Sequence, residues 1–169
     1  MLQSEKVGDR LPLTTHDSSF IPKKKGETGM LRQLISTHKT WATVPLRVAL
    51  GLIFMAHGAQ KVFGAFGGRG FSAFVSGAAP LGLWPSWFWL SAAVLSELVG
   101  GVLVFLGLFT RVGAGAIAAV MIVAIFGVHG STFFVNQGGM EFALANLAMA
   151  ITLLYLGGGK LSVDANLRL

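Results

Sequence analysis

The segment SWFWLSAAVLSELVGGVLVFLGLF, residues 86–109, contains 24 residues and one charged side chain, Glu97. An apolar run of about 20 residues is long enough to cross the hydrocarbon core of a bilayer as a helix. Its first residues carry an aromatic cluster, which is typical of the headgroup level of a membrane. The segment therefore predicts a transmembrane helix with one carboxylate near mid-bilayer.

Three further apolar segments, residues 44–63, 112–134 and 141–156, have the same character. The chain is 53% hydrophobic and 12% charged, whereas an ordinary soluble domain carries roughly 25% charged residues. Residues 107–111 predict a tight turn, which makes the second and third helices antiparallel neighbours. We predict an all-α integral membrane protein, with a four-helix bundle in a domain over residues 41–160.

The connection between the first two predicted helices, residues 64–85, is rich in glycine and aromatic residues and too interrupted to span a bilayer. Phe71, Phe74 and Val75 follow one another at helical spacing within it. This spacing predicts a short interfacial helix or a re-entrant lid.

The distribution of Lys and Arg predicts the orientation. Seven of the thirteen basic residues precede the first apolar segment: Lys6, Arg10, Lys23, Lys24, Lys25, Arg32 and Lys39. With the N-terminus inside, Arg47, Arg111, Lys160 and Arg168 join them, against only Lys61 and Arg69 outside. Cytoplasmic flanks are enriched in positive charge, so both termini are expected to be cytoplasmic.

Residues 1–40 are then predicted to be a basic cytoplasmic tail with little fold of its own. A weakly amphipathic stretch, Met30–Ile35, is the exception. Residues 161–169 are predicted to be a short cytoplasmic C-terminal tail. Charge in such a tail matches anionic lipid, so the net charge of +6 does not indicate nucleic-acid binding. The lipid bilayer is the expected partner.

Polar groups inside membrane spans are costly and are therefore candidates for function. Glu97 lies roughly 16 Å from the outer end of its helix, and four other ionisable candidates fall toward the outer face. These positions predict that four helices direct polar groups toward one half of the bundle. The candidates within the spans are Arg47, His57, Gln60, Lys61, Glu97, His129, Glu141 and Asn146.

Helical phase directs these groups toward the bundle interior. Small residues beside Glu97 predict a close helix contact. The predicted inward faces are Arg47, Gly51, Phe54, Gly58 and Lys61 in the first helix; Ala93, Glu97, Gly100, Gly101 and Val104 in the second; Ala118, Ile122, Ile125 and His129 in the third; and Glu141, Ala145, Ala148 and Thr152 in the fourth.

Glu97 is the strongest candidate, because a carboxylate at mid-membrane must be protonated or find a cation, and Lys61, His57 or Arg47 could serve. The alternatives are a structural ion pair or a neutral hydrogen-bonding acid. His57 and His129 are close enough to an interface to be simply hydrated. Lys61 could direct its ammonium outward to water.

The sequence also disfavours several kinds of cofactor. It has no cysteine, which excludes iron–sulfur ligation, thiolate catalysis and covalent haem attachment through cysteine. It lacks the Glu-x-x-His pairs of a di-metal carboxylate bundle. Two histidines could ligate a haem b, but nothing in their spacing requires it, so we expect no metal site.

The residues then show a resemblance. RVALGLIFMAHGAQKVFG, beginning at Arg47, resembles the opening of the DoxX family of small bacterial four-helix membrane proteins. The similarity continues through GAFGG at Gly64, ELVGG at Glu97, LGLFTR at Leu106, VHG at Val128, GGMEFAL at Gly138 and LGGGKLSVD at Leu156, and it covers roughly residues 44–164.

Membership implies a multi-pass protein of the bacterial inner membrane, belonging to membrane redox or oxidative-stress complexes. The resemblance implies that Glu97, His57 and Lys61 act catalytically, and that His57, Lys61, His129 and Glu141 line a polar quinone or small-substrate pocket in the outer half of the bundle. If the chain is an enzyme, it is then a quinone-linked oxidoreductase subunit.

Fold-level analogy leaves other functions open. The chain could instead be a non-catalytic accessory subunit that packs against a larger membrane complex. A small-molecule carrier is disfavoured, because four helices without an evident inverted repeat leave little for alternating access.

Overall fold

The computed structural model describes residues 27–167, and within this range the chain is helical and contains no β-strand. The prediction of an all-α protein is confirmed. Short 3-10 turns occur at Ala65–Gly67, Pro80–Gly82 and Val135–Gln137. The α-helices are α1 (Glu27–Ile35), α2 (Thr43–Phe63), α3 (Phe71–Val75), α4 (Ser86–Leu106), α5 (Thr110–Gly127), α6 (Glu141–Leu156) and α7 (Val163–Asn166).

The long helices begin close to the predicted positions, but α5 is shorter than predicted. It ends at Gly127, not at Phe134. Beyond Gly127 the chain turns, and the backbone N–H of His129 donates to the carbonyl of Ala124. Residues 128–140 then form a loop that leads into α6. His129 consequently lies in this loop and not on the helix.

The four long helices pack side by side. α4 contacts both α2 and α5, and α6 contacts both α5 and α2. The short helix α3 rests on α2 and α4, beside the C-terminal end of α2. This arrangement leaves a partly open space among α2, α4, α5 and α6, with α3 at its edge.

Glycines allow α2 and α4 to approach closely, as predicted from the small residues near Glu97. A Cβ atom added at Gly58 would lie 2.6 Å from the Cα of Leu98, and one added at Gly101 would lie 2.7 Å from the backbone nitrogen of Met55. Gly51 faces Phe105 at a similar distance. Any side chain at these positions would push the helices apart.

The outer surfaces of α4 and α5 are apolar. These two helices are long and apolar enough to cross a membrane, yet only 33% and 39% of their most apolar windows are buried within the protein. α2 is a third candidate if it is taken together with the segment Ala65–Gly82, which bends away by 92°. Exposed Leu, Val, Ile and Phe side chains on this scale require an apolar solvent. The chain is therefore a helical membrane protein.

The inward face of α6 differs from the predicted one. The buried residues of this helix are Ala143, Asn146, Ala150 and Leu153, whereas Ala145 and Ala148 are exposed. The prediction that the face shared by Glu141 and Ala145 points inward is wrong: the buried stripe is centred about 160° around the helix from Glu141. In α5, Ala118 and Ile125 are buried as predicted, but Ile122 is exposed.

At the end of the bundle away from α3, hydrogen bonds from the segment that follows α6 connect the helices. Asp164 accepts hydrogen bonds from the backbone N–H groups of Phe109 and Thr110 and from the Thr110 hydroxyl. Arg47 is buried and donates to the carbonyls of Gly158 and Leu161. These contacts satisfy polar groups where α5 begins and α6 ends.

Candidate functional site

The centre of the site is an ion pair between α2 and α4. The ammonium of Lys61 contacts both carboxylate oxygens of Glu97, each at 2.5 Å. The side chain of Glu97 is 6% exposed, and that of Lys61 is 24% exposed. Among the cations considered as partners for Glu97, the structure selects Lys61.

The close contact of α2 and α4 explains why this pair forms. Gly58 allows α2 to lie against the backbone of Leu98, which is the residue after Glu97. Lys61 is one turn beyond Gly58, so its side chain extends along the same face toward the carboxylate. Lys61 also lies over the ring of Phe74 in α3, with its nitrogen 5.3 Å from the ring centroid. This cation–π contact adds a second favourable interaction for the ammonium.

A cavity of about 650 Å³ adjoins the ion pair. Its walls come from α2 to α6 and from the loop after α5, and they are mostly apolar, with aromatic rings from Phe54, Phe74, Trp89 and Phe142. The volume falls within the range of about 300–1,000 Å³ that is typical of small-molecule sites. The polar residues of the wall are His57, Lys61, Ser96, Glu97 and His129.

The two histidines contribute different surfaces to the cavity. His57 is exposed, and its ring lies against Phe142, with a centroid distance of 6.2 Å. His129 is held by the loop, because its Nδ1 lies 2.7 Å from the carbonyl oxygen of Gly138. In a neutral imidazole this bond requires a proton on Nδ1, which leaves Nε2 as a hydrogen-bond acceptor.

Other candidates from the sequence lie outside this group. Glu141 does not line the cavity, and its Oε1 accepts a hydrogen bond of 2.6 Å from the backbone N–H of Val135. It is the first residue of α6, where a negative charge stabilises the helix. Arg47 is bound to the carbonyls near the C-terminus. Asn146 is buried, and its amide nitrogen donates to the carbonyl of Phe142.

Sequence reasoning did not single out Ser96, Trp89 or Phe142 as cavity residues, nor Asp164 as a cap. Ser96 precedes Glu97 by one residue and Trp89 precedes it by eight, so both lie roughly 80–100° around the helix from Glu97, and helical phase alone marked neither as a cavity residue. Nothing local marks Phe142 or Asp164, because their partners are distant in the sequence.

The arrangement can bind a small, largely apolar molecule with a polar edge. The apolar walls would receive its ring or chain, while Lys61, His57 and His129 offer hydrogen bonds, and Glu97 offers a site for a proton. No group of three or more His, Asp or Glu side chains in the described part of the chain is placed to hold a metal ion.

These features define a helical membrane protein with a ligand-sized cavity whose wall carries a lysine–glutamate pair. The chain belongs to the DoxX family, whose model matches residues 42–130. This range includes His57, Lys61, Glu97 and His129.

Two relatives each match 70% or more of this chain. The protein named "Putative oxidoreductase CatD" of Bacillus subtilis (strain 168) is 34% identical over 122 residues, covering 72% of this chain and 84% of that protein. An uncharacterized protein of Haemophilus influenzae (strain Rd) is 29% identical over 127 residues, covering 70% and 85%. No solved structure matches the chain significantly.

Proposed function

We propose that this protein is a quinone-linked subunit of a membrane redox complex and that its cavity binds the quinone headgroup. The observation that carries the proposal is the Lys61–Glu97 pair on the wall of an apolar cavity of about 650 Å³. A quinone needs apolar walls for its ring, hydrogen-bond donors for its carbonyl oxygens and a route for protons. The cavity wall offers all three.

The cavity residues take separate roles in this proposal. Lys61 or His57 donates a hydrogen bond to one quinone oxygen. His129, in the loop after α5, contacts the opposite edge of the quinone ring. Glu97 handles protons, because its carboxylate is the acceptor nearest to the ammonium of Lys61. Glu141 supports the loop that carries His129 and does not touch the ligand.

Reduction of a quinone to a quinol takes up two electrons and two protons. The protons pass through the Lys61–Glu97 pair. In this proposal the electrons come from a bound cofactor or from a partner subunit, because a chain without cysteine cannot hold an iron–sulfur cluster through its own thiolates. The printed name of the Bacillus subtilis relative, an oxidoreductase, points in the same direction.

In the proposed arrangement the four long helices form a membrane-embedded bundle in the bacterial inner membrane. Both termini are cytoplasmic, and α3 and the glycine-rich loop face outward, as the distribution of Lys and Arg indicates. The membrane domain extends over residues 41–160, between a basic tail at residues 1–40 and a short tail at residues 161–169.

Purification in mild detergent, followed by lipid extraction and identification of co-purifying proteins, tests this function. Stoichiometric quinone, lost in a Glu97→Gln, Lys61→Met double variant that is still folded, would support the proposal. Partner subunits without any quinone would contradict it. They would favour the alternative, an accessory subunit that packs against a larger membrane complex.

A further inference from the structure

A second, smaller recess shares part of its wall, including Lys61, with the cavity. It has a volume of about 290 Å³ and is lined by Gln60, Lys61, Gly67, Gly68, Arg69 and Phe74. Its wall contains two cationic side chains and an amide but no acidic residue. Such a surface retains water readily, in contrast to the largely apolar cavity.

The glycine-rich loop builds this recess. Gly68 packs directly on the backbone carbonyl of Gln60 and leaves no space for a Cβ atom. Gly67 and Gly70 adopt φ angles of 78° and 77°, which favour glycine. The loop is thereby folded back over the C-terminal end of α2, and Arg69 is brought to the same recess as Lys61.

Two residues, Lys61 and Phe74, belong to the walls of both the recess and the cavity. The Lys61 nitrogen lies 5.3 Å from the centre of the Phe74 ring. Exposure also changes across the pair, since Lys61 is 24% exposed and Glu97 only 6%. Lys61 therefore lies at the boundary between the recess and the cavity, and the Phe74 ring lies beside it.

We propose that the recess is the aqueous entrance to the Lys61–Glu97 pair and that Phe74 is the barrier that keeps this water out of the cavity. Protons reach the pair from the side of the membrane on which the Gly64–Gly70 loop lies. When the pair passes a proton to a ligand in the cavity, water in the recess supplies the replacement proton. This step transfers protons only and no electrons.

The inference deepens the proposed function, and it rests on that function for the nature of the cavity ligand. The barrier itself is a property of the protein without ligand. The barrier and the proposed quinone function can therefore be tested separately.

Single cysteines give a direct test, because the chain has no natural cysteine. Ser96→Cys places a thiol in the cavity wall and Gln60→Cys places one in the recess. Both are exposed to an anionic, membrane-impermeant methanethiosulfonate in native membranes with the loop side accessible. N-ethylmaleimide, which enters through lipid, checks that each thiol is reactive.

We expect rapid anionic modification of Gln60→Cys and slow modification of Ser96→Cys. Adding Phe74→Ala to Ser96→Cys should raise its modification rate by about tenfold or more, because the barrier is removed. Phe71→Ala is the matched control, since Phe71 lies on the same short helix but lines neither space. Phe74→Leu keeps an apolar side chain of similar reach and should leave the rate low.

A protected Gln60→Cys would show that the recess is not aqueous and would overturn the inference. An unchanged rate in Phe74→Ala, or an equal rise in Phe71→Ala, would show that Phe74 is not the barrier. If these rates behave as expected but no quinone co-purifies, the barrier stands and the proposed quinone function fails.

Discussion

Glu97 receives both of its contacts from a single ammonium group, that of Lys61, and the two partners differ fourfold in exposure, at 6% and 24%. Removing one partner therefore does not have the same effect as removing the other. The loss of Lys61 leaves a carboxylate with almost no access to water. The loss of the charge on Glu97 leaves an ammonium that already reaches solvent.

Lys61→Met should consequently destabilise the protein by about 3 kcal/mol, the cost of leaving a buried charge without its partner. Glu97→Gln should cost only roughly 1 kcal/mol, because the amide keeps the shape and part of the hydrogen bonding. Thermal unfolding in the same detergent would measure both. A larger loss in Glu97→Gln than in Lys61→Met would contradict the asymmetry.

The same substitution separates a structural role of Glu97 from a chemical one. We expect Glu97→Gln to insert at normal levels and to lose the quinone-linked activity of its complex, since glutamine cannot exchange a proton. Activity must be compared at matched membrane abundance. Full activity would make Glu97 a structural residue and would favour the accessory alternative.

The glycine contact between α2 and α4 should be intolerant of even one methyl group. Gly58→Ala places a Cβ 2.6 Å from the Cα of Leu98, so we expect a loss of about 1–3 kcal/mol and a weakened Lys61–Glu97 pair. Gly115→Ala is the control, because its nearest neighbour would be 3.8 Å away. Equal melting temperatures for the two variants would show that the helices can separate freely.

Asp164 should be required for stability although it lies close to the C-terminus. Asp164→Ala removes three hydrogen bonds at the start of α5, and we expect a loss of about 1–3 kcal/mol. Asn166→Ala, a change at an exposed position of the same short helix, should have little effect. Chemical or thermal unfolding of the two variants makes the comparison, and similar values would rule out the capping role.

The polypeptide before α2 should divide into a dispensable part and a stabilising part. His38 donates to the carbonyl of Leu156, and Thr40 accepts from the backbone N–H of Lys160. Deletion of residues 2–26 keeps both of these contacts and should preserve insertion, whereas deletion of residues 2–40 removes them and should preserve insertion but lower the melting temperature. Loss of membrane integration in either variant would contradict this prediction.

Because the chain has no natural cysteine, its orientation in the membrane can be measured with single introduced cysteines. Arg69 is exposed at the glycine-rich loop, so Arg69→Cys should react with an impermeant thiol reagent in intact cells. Tags at the N-terminus and after Leu169 should be shielded. The reverse pattern would place the loop in the cytoplasm and would move the proposed aqueous entrance to that side.

The sequence by itself determined that lipid surrounds the helices, roughly where the helices lie, and which residues are candidates for the site. Long apolar runs such as residues 86–109 require helices in lipid, and a carboxylate within such a run stands out because it is costly there. The small residues around Glu97 also predicted a close helix contact. These features depend on neighbours along one helix, whose geometry is regular.

Tertiary structure alone decided which cation faces Glu97, where α5 ends and which face of α6 points inward. Lys61, His57 and Arg47 were all acceptable partners by charge. The approach of α2 and α4 at Gly58 selected Lys61, while Arg47 was taken by carbonyls near the C-terminus. Helical phase fixes angles within one helix but not its rotation against its neighbours, because that rotation depends on the packing of all four helices together.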